Sequence, residues 1–435
     1  TSLRGLPPEP AKDQEDRAAL GGLRDVATSV RKVPGHMLIG PQLADIMEQA
    51  LQEVPGLEDM IHQKLDHEDI AEAQLDEMVH GVRMAVATAL ARDGRLPNVD
   101  PISNEHFDCS TSIRAHLLHA WALRADDPAA NVLVWLWEGA PMGINDDQCW
   151  QVLDSLWPRR DKPSTIDSSE LGRHPKAFVN YPGIDAEREL GATLQQYADK
   201  GYISIHEDWN DVRDTVGDTN PVLSRLGRIK RKKFDSSTQD YAVKVRTILD
   251  LLESGITAAS RTSHRSILPR STDAISDALE LASDLYDDEV LLALVIDLAD
   301  AYWQIPLRWS DRRYCIAKWR GLYIVFRRIA QGSRGGPLAY ASVAAVLIRC
   351  VQSLFVRPSG RRTRTLEELR IQLYVDPLAI ARGQPLRCRR LFSIFLLAMM
   401  VLGRPLAWHK ASWGKQLTWC GLVYTFTEEA VTVTV

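Results

Sequence analysis

The chain has 435 residues, 45% of them hydrophobic and 25% charged, which is too long for one compact core and fits an ordinary folded protein of two or three domains. Six scattered cysteines, with no CxxC pair and no His/Cys cluster, argue against structural zinc and a disulfide framework and for a reducing, intracellular setting. The net charge of −5 hides an asymmetry: residues 1–224 carry 38 acidic against 20 basic side chains and residues 225–435 carry 19 against 32, so an anionic partner is expected for the C-terminal half.

Residues 1–30 are polar and Pro-containing and read as loose, without a basic-then-apolar leader. From Pro41 to about Ala140 the pattern is helical. Ile70, Ala73, Met78, Val79, Val82 and Val86 recur at helical spacing before Gly94, and Ser110–Trp137 reads as a further helical pair broken at Asp126-Asp127-Pro128. His36, His62, His67 and His80 are scattered and not expected to be ligands, while Trp135 and Trp137 read as core. No run is expected to span a membrane.

Prolines 158, 163, 175 and 182 mark residues 158–183 as a linker, and Leu190–Gly201 is a short helix ended by its glycine. Arg225–Lys233 then holds six basic residues in nine, and the alternation of Val243–Asp250 places Lys244 and Arg246 on one strand face. Such a basic hairpin suits a triphosphate or a nucleic-acid backbone, although a solvated charged face has the same pattern.

Leu294–Leu298 delivers Asp297 to the end of an apolar strand, with Asp300 three residues on. A carboxylate there is costly unless something positive neutralises it, for which a divalent metal is the common solution; capping of a turn is the plain alternative. Tyr323–Ile329 reads as a strand leading into Gln331-Gly332-Ser333-Arg334-Gly335-Gly336-Pro337. The apolar helix of Leu338–Val356 follows, and its N-terminus is a place for an anion or nucleotide. Basic Arg357–Arg364 reads as an exposed loop. Leu369–Val375 is a strand turning at Asp376-Pro377 into Leu378–Ala381, and Trp408-His409-Lys410 precedes a strand pair around Trp419-Cys420-Gly421.

In this order the segments resemble the reverse transcriptases of retroviruses and LTR-type retroelements, over about residues 225–425. Asp297–Leu307 resembles the first palm motif, Gln331–Pro337 the Gln-Gly-x-x-x-Ser-Pro motif with Gly336 in place of the serine, and Tyr374-Val375-Asp376 the Tyr-x-Asp-Asp hairpin. Lys244–Asp250 resembles the fingers strand, Lys410 the lysine motif and Trp419-Cys420-Gly421 the primer grip. Upstream, Trp135–Ile144 is similar to segments that precede this domain in some protist retroelement polyproteins.

The resemblance implies an α+β fold of right-hand polymerase fingers and palm behind a mostly helical N-terminal domain. The divisions expected are an acidic helical region 1–165, a linker and fingers-like region 166–290, and a palm-like region 291–435 without thumb or RNase H. It implies RNA-directed DNA polymerase activity on an RNA/DNA template–primer with dNTPs and Mg²⁺ or Mn²⁺. Asp297, Asp376 and the Leu298 carbonyl would hold metal, and Lys410 would protonate pyrophosphate. Lys232 and Arg246 would clamp the triphosphate, though the basic run offers more than one lysine. Asp300, Ala301, Gln331 and Gly332 would line the nucleotide, with Tyr302 under its sugar. Arg228, Lys230, Arg231, Lys233, Trp419 and Gly421 would contact nucleic acid. The second aspartate of the hairpin motif is missing: Pro377 stands there, by substitution or by deletion of one Asp. The expectation is a weakened polymerase; the alternative is an inactive nucleic-acid-binding or structural remnant.

Overall fold

The computed structural model describes residues 34–91, 111–146, 148–172, 178–218, 220–235, 240–283, 285–358, 365–427 and 430–434. The expectations for residues 1–30, for Gly94 and for most of the Arg357–Arg364 loop fall outside them. The architecture is α+β: a helical N-terminal region, then mostly antiparallel sheets packed on helices.

The N-terminal helices are α1 (Pro34–Glu53), α2 (Leu57–Leu65), α3 (Glu72–Ala91) and α4 (Ala115–Arg124). In α3 the expected helix forms and Val79, Val82 and Val86 are buried as read, but Ile70 lies before the helix and Ala73 is exposed, and Leu75 and Leu90 complete the buried stripe instead. Two glycines seat α1 on its neighbours, because a Cβ at Gly35 would lie 2.1 Å from the Ala125 carbonyl oxygen and one at Gly40 2.2 Å from that of Ser353. Trp135 is buried and Trp137 packs on the same core. His36 is buried against Asp127 (Nε2 to Oδ2, 2.9 Å), and Arg349 donates to both Asp127 oxygens at 2.7 and 2.8 Å.

The stretch read as a linker is built into the fold. Strand β1 (Arg159–Lys162) pairs with the later β5 (Thr262–His264), and Leu171 and Ile184 enter a core with Leu190 and Leu194. Prolines and polar residues hid this, since the strand itself is wholly exposed and carries no apolar alternation. Between them lie α5 (Arg188–Asp199), β2 (Ile203–His206), α6 (Trp209–Val216) and the long hairpin β3 (Leu223–Asp235) and β4 (Asp240–Asp250). With β7 (Ile316–Trp319) and β8 (Leu322–Phe326) they form a sheet ordered β2-β8-β7-β3-β4.

The second sheet, ordered β11-β12-β6-β13, is antiparallel. Its members are β6 (Val290–Leu298), β11 (Leu369–Leu373), β12 (Pro377–Gly383) and β13 (Leu406–Gly414). Along β6, Leu292, Leu294 and Ile296 face a core shared with the N-terminal helices, while Leu291 and Ala293 face a smaller one that includes α7 (Ser271–Ala282). Burial on both faces is why this strand reads as an unbroken apolar run. Helices α8 (Gly336–Gln352) and α9 (Pro385–Val401) back the sheet, β9 (Val356–Pro358) and β10 (Thr365–Glu367) form a small hairpin, and β14 (Gln416–Trp419), β15 (Leu422–Phe426) and β16 (Val431–Thr434) a third sheet. One membrane expectation needs correcting. Gly336–Phe355 is long and apolar enough to cross a bilayer, and here it is wholly buried as the central helix of the core.

Candidate active site

The β12–β6 register, with Leu378 opposite Val295, carries the strand ends toward each other and brings Asp376 beside the end of β6. The Leu298 N–H donates to Asp376 Oδ1 at 3.3 Å. Burial first, and then the negative charge of Asp297, push the Asp376 carboxyl above its ordinary range. The carboxylates predicted from two distant motifs are therefore close enough to feel each other. Lys410 completes the group, its Nζ ion-paired with Asp297 Oδ2. A bulge aims it there: the β13–β6 pairing shifts from Ala407 opposite Asp297 to Ser412 opposite Val295, so His409 and Lys410 lie in the irregular stretch.

Leu373 pairs with Pro377, closing the tip Tyr374-Val375-Asp376, and Pro377 begins β12 as a buried residue. Proline supplies neither a carboxylate nor a backbone N–H. Among the described residues no three His, Cys, Asp or Glu side chains converge as a metal cluster. The donor set is two carboxylates and adjacent backbone, which suits a hard oxygen-loving dication that takes its other ligands from water or substrate.

Two aromatic side chains hold the tip. The Tyr340 hydroxyl donates to the Val375 carbonyl at 3.1 Å, and the Trp419 indole N–H to the Asp376 carbonyl at 3.0 Å. Trp419 is buried and bonded to the hairpin, which positions Asp376 rather than presenting the ring to a primer; Gly421, at φ 81° in the β14–β15 turn, is exposed. Tyr302 stacks on Tyr340 with ring centroids 5.0 Å apart. Asp300, in the left-handed region at φ 51°, accepts from Lys200 Nζ at 2.7 Å and the Tyr202 hydroxyl at 2.8 Å. Its side chain is thus tied to residues at the end of α5 and the start of β2, next to Ala301 in the turn after β6. Gln331 is half-buried, and a Cβ at Gly332 (φ 107°) would lie 3.1 Å from the Leu249 carbonyl oxygen, so the glycine lets this loop pass under β4. Arg334 is anchored to carbonyls, at 2.8 Å to Ser260.

Lys200, Tyr202, Tyr340 and Arg404 escaped sequence reasoning. Arg404 is buried beside the Tyr340 hydroxyl. The first two precede the motifs by about a hundred residues, and no local spacing links them; folding alone does.

The basic hairpin divides by face. Partners across an antiparallel pair point the same way, and Ile229 faces Arg246, Arg231 faces Lys244 and Lys232 faces Val243. Arg231 and Arg246 therefore share one face, and Arg228, Lys230 and Lys232 the other. Lys232 and Arg246, expected to clamp the triphosphate, lie on opposite faces of the hairpin, and Arg231 shares the face of Arg246. Arg228 and Lys230 are also engaged, both pairing with Glu187, at 2.6 and 2.9 Å. Arg231, Lys232 and Arg246 are exposed, and the Lys233 side chain lies outside the description.

No protein-family model and no curated protein matches the chain. Among solved structures it is similar to a foamy viral protease-reverse transcriptase dRH in complex with double-stranded DNA. That match has 15% identity and a TM-score of 0.38 over 71% of this chain and 47% of the other. It is also similar to the foamy viral protease-reverse transcriptase in complex with an RNA/DNA hybrid, at 14% identity and a TM-score of 0.37 over 69% of this chain and 35% of the other. The chain thus spans less than half the length of either.

Proposed function

We propose that this chain is a reverse transcriptase-like palm and fingers that performs template-directed nucleotidyl transfer, weakened by Pro377. The observation that carries the reading is the pairing of Asp297 and Asp376 at the ends of adjacent antiparallel strands, Asp376 raised by burial and then by Asp297, with Lys410 ion-paired to Asp297. Asp297, Asp376 and the Leu298 carbonyl would hold Mg²⁺ or Mn²⁺. When bound, such an ion activates the attacking hydroxyl and neutralises the leaving phosphates. The chain's own residues do the positioning. Tyr340 and Trp419 fix the height of the Asp376 tip, Tyr302 packs on Tyr340 to form the floor under the sugar, and Arg246 with Arg231 offers a cationic face to the triphosphate. Lys410 stands where it can give a proton or a charge to the departing pyrophosphate.

Removing one partner from a buried charged group costs about 3–5 kcal/mol. Placed wholly on the transition state, that is about 10²–10⁴ in rate. The second reading, a remnant that binds nucleic acid without chemistry, is favoured by the same proline and by the two-carboxylate donor set. Primer extension on an RNA template with Mg²⁺ and dNTPs separates them. The native chain is compared with Asp297→Asn and with a version carrying Asp between Asp376 and Pro377. Slow extension, abolished by Asp297→Asn and raised by the insertion, is expected. Silence from both the native and inserted chains, with salt-sensitive template binding retained, would leave the remnant.

A further inference from the structure

Lys410 does more in this arrangement than wait for a leaving group. The register sets two carboxylates at the ends of adjacent strands, and the side chain paired with Asp297 is an ammonium delivered by a strand bulge. Without the bulge, regular pairing beyond Ala407 would alternate side chains across the sheet and leave no reason for a lysine to return over Asp297. The ammonium is also half-exposed on a long flexible stem, so it can leave without unfolding anything. A dication and the ammonium would compete for Asp297 Oδ2, because one carboxylate pair cannot neutralise three positive charges.

We infer that Lys410 is an exchangeable counter-ion. It occupies Asp297 in the empty site, yields that oxygen to the divalent cation, and transfers to the anionic phosphates that arrive with the nucleotide. This rests on the reading of Asp297 and Asp376 as the cation-binding pair, and it adds an order of loading: cation binding is weak by itself and strengthens when a phosphate anion draws Lys410 away. The missing third carboxylate makes the exchange matter, since a cluster with one more charge would retain the dication against a lysine.

The test is Mn²⁺ titration of the full chain, read by loss of the free-ion electron paramagnetic resonance signal. Lys410→Met should bind Mn²⁺ about three- to fivefold tighter than the native chain, as expected for release of a half-exposed ion pair. The double variant Lys410→Met/Asp297→Asn should lose that gain. Unchanged or weaker binding by Lys410→Met overturns the inference. A second measurement needs no variant: acylation of Lys410 by an N-hydroxysuccinimide ester, with exposed Lys415 as internal reference, should accelerate when Mg²⁺ is added. An unchanged Lys410 to Lys415 ratio also overturns it. Neither readout needs turnover. Positive ion readouts without primer extension would defeat the polymerase reading alone, and extension with flat ion readouts would defeat the exchange alone.

Discussion

At Asp127 burial by itself would raise the carboxyl, but hydrogen bonds from His36 and Arg349, the Arg349 charge and the Ala129 N–H hold it far below the carboxylate range. A folded value depressed below the unfolded one of about 4 contributes stability that is complete above pH 4 and is lost as pH falls below it. Urea midpoints should therefore drop on acidification below about pH 4 more steeply for the native chain than for Asp127→Asn. At neutral pH that variant should cost about 3–5 kcal/mol, because it leaves Arg349 buried without its charged partner. Asp376 is the opposite case. Burial and Asp297 raise it, so its ionised form opposes folding. Asp376→Asn should raise the thermal midpoint, by roughly 0.5–2 kcal/mol of stability, while abolishing primer extension. A residue whose removal stabilises the fold is kept for what it does there. The two Asp residues of the site were legible in sequence because each sits in a short local motif. Asp127 was not, since its partners lie 91 and 222 residues away.

At the level of elements, the basic hairpin separates what alternation can and cannot reveal. Within β4 the period of two fixes which residues share a face with Arg246, although the Lys244 side chain lies outside the described ones. Between β3 and β4 the register depends on the turn, and one step of slip exchanges every face, so the pairing of Lys232 with Arg246 could not be read from either strand. A double-mutant cycle on dNTP affinity tests the outcome. Arg231→Ala and Arg246→Ala should couple, whereas Lys232→Ala and Arg246→Ala should add within about 0.5 kcal/mol. Strand β6 was legible for the opposite reason. Burial on both faces removes the dependence on register, and the apolar run around Leu294–Ile296 marks the strand directly, although it begins at Val290, four residues earlier than read. Trp419 was misjudged because a motif gives the position of a ring but not the face it turns to, and this one points into the core.

Across the whole molecule, the N-terminal helices and the central sheet share one hydrophobic core that runs from Ile39 to Ala411. Leu43 and Met47 of α1 and Val86 of α3 are buried in the same cluster as Ile348 of α8 and Phe395 of α9. Helical periodicity identified Val86 and the helical character of the stretch from Pro41, but not the partners across the core, because long-range packing leaves no trace in local spacing. Leu43→Ala should cost about 2–5 kcal/mol. Denaturation followed separately by N-terminal and central-sheet hydrogen exchange should show both regions losing protection together, as one cooperative unit.

The buried central helix also imposes a schedule on synthesis. Gly336–Phe355 is apolar enough to be taken for a membrane segment as it leaves the ribosome. Two of the helices packed on it, α1 and α4, are encoded ahead of it, so at ordinary translation speeds they emerge roughly half a minute earlier. The nascent chain thus carries part of the shelter for its most insertion-prone stretch before that stretch exists, and β11 and α9 complete it afterwards. A messenger with the two halves permuted would make the same amino acids in an order that exposes the helix first.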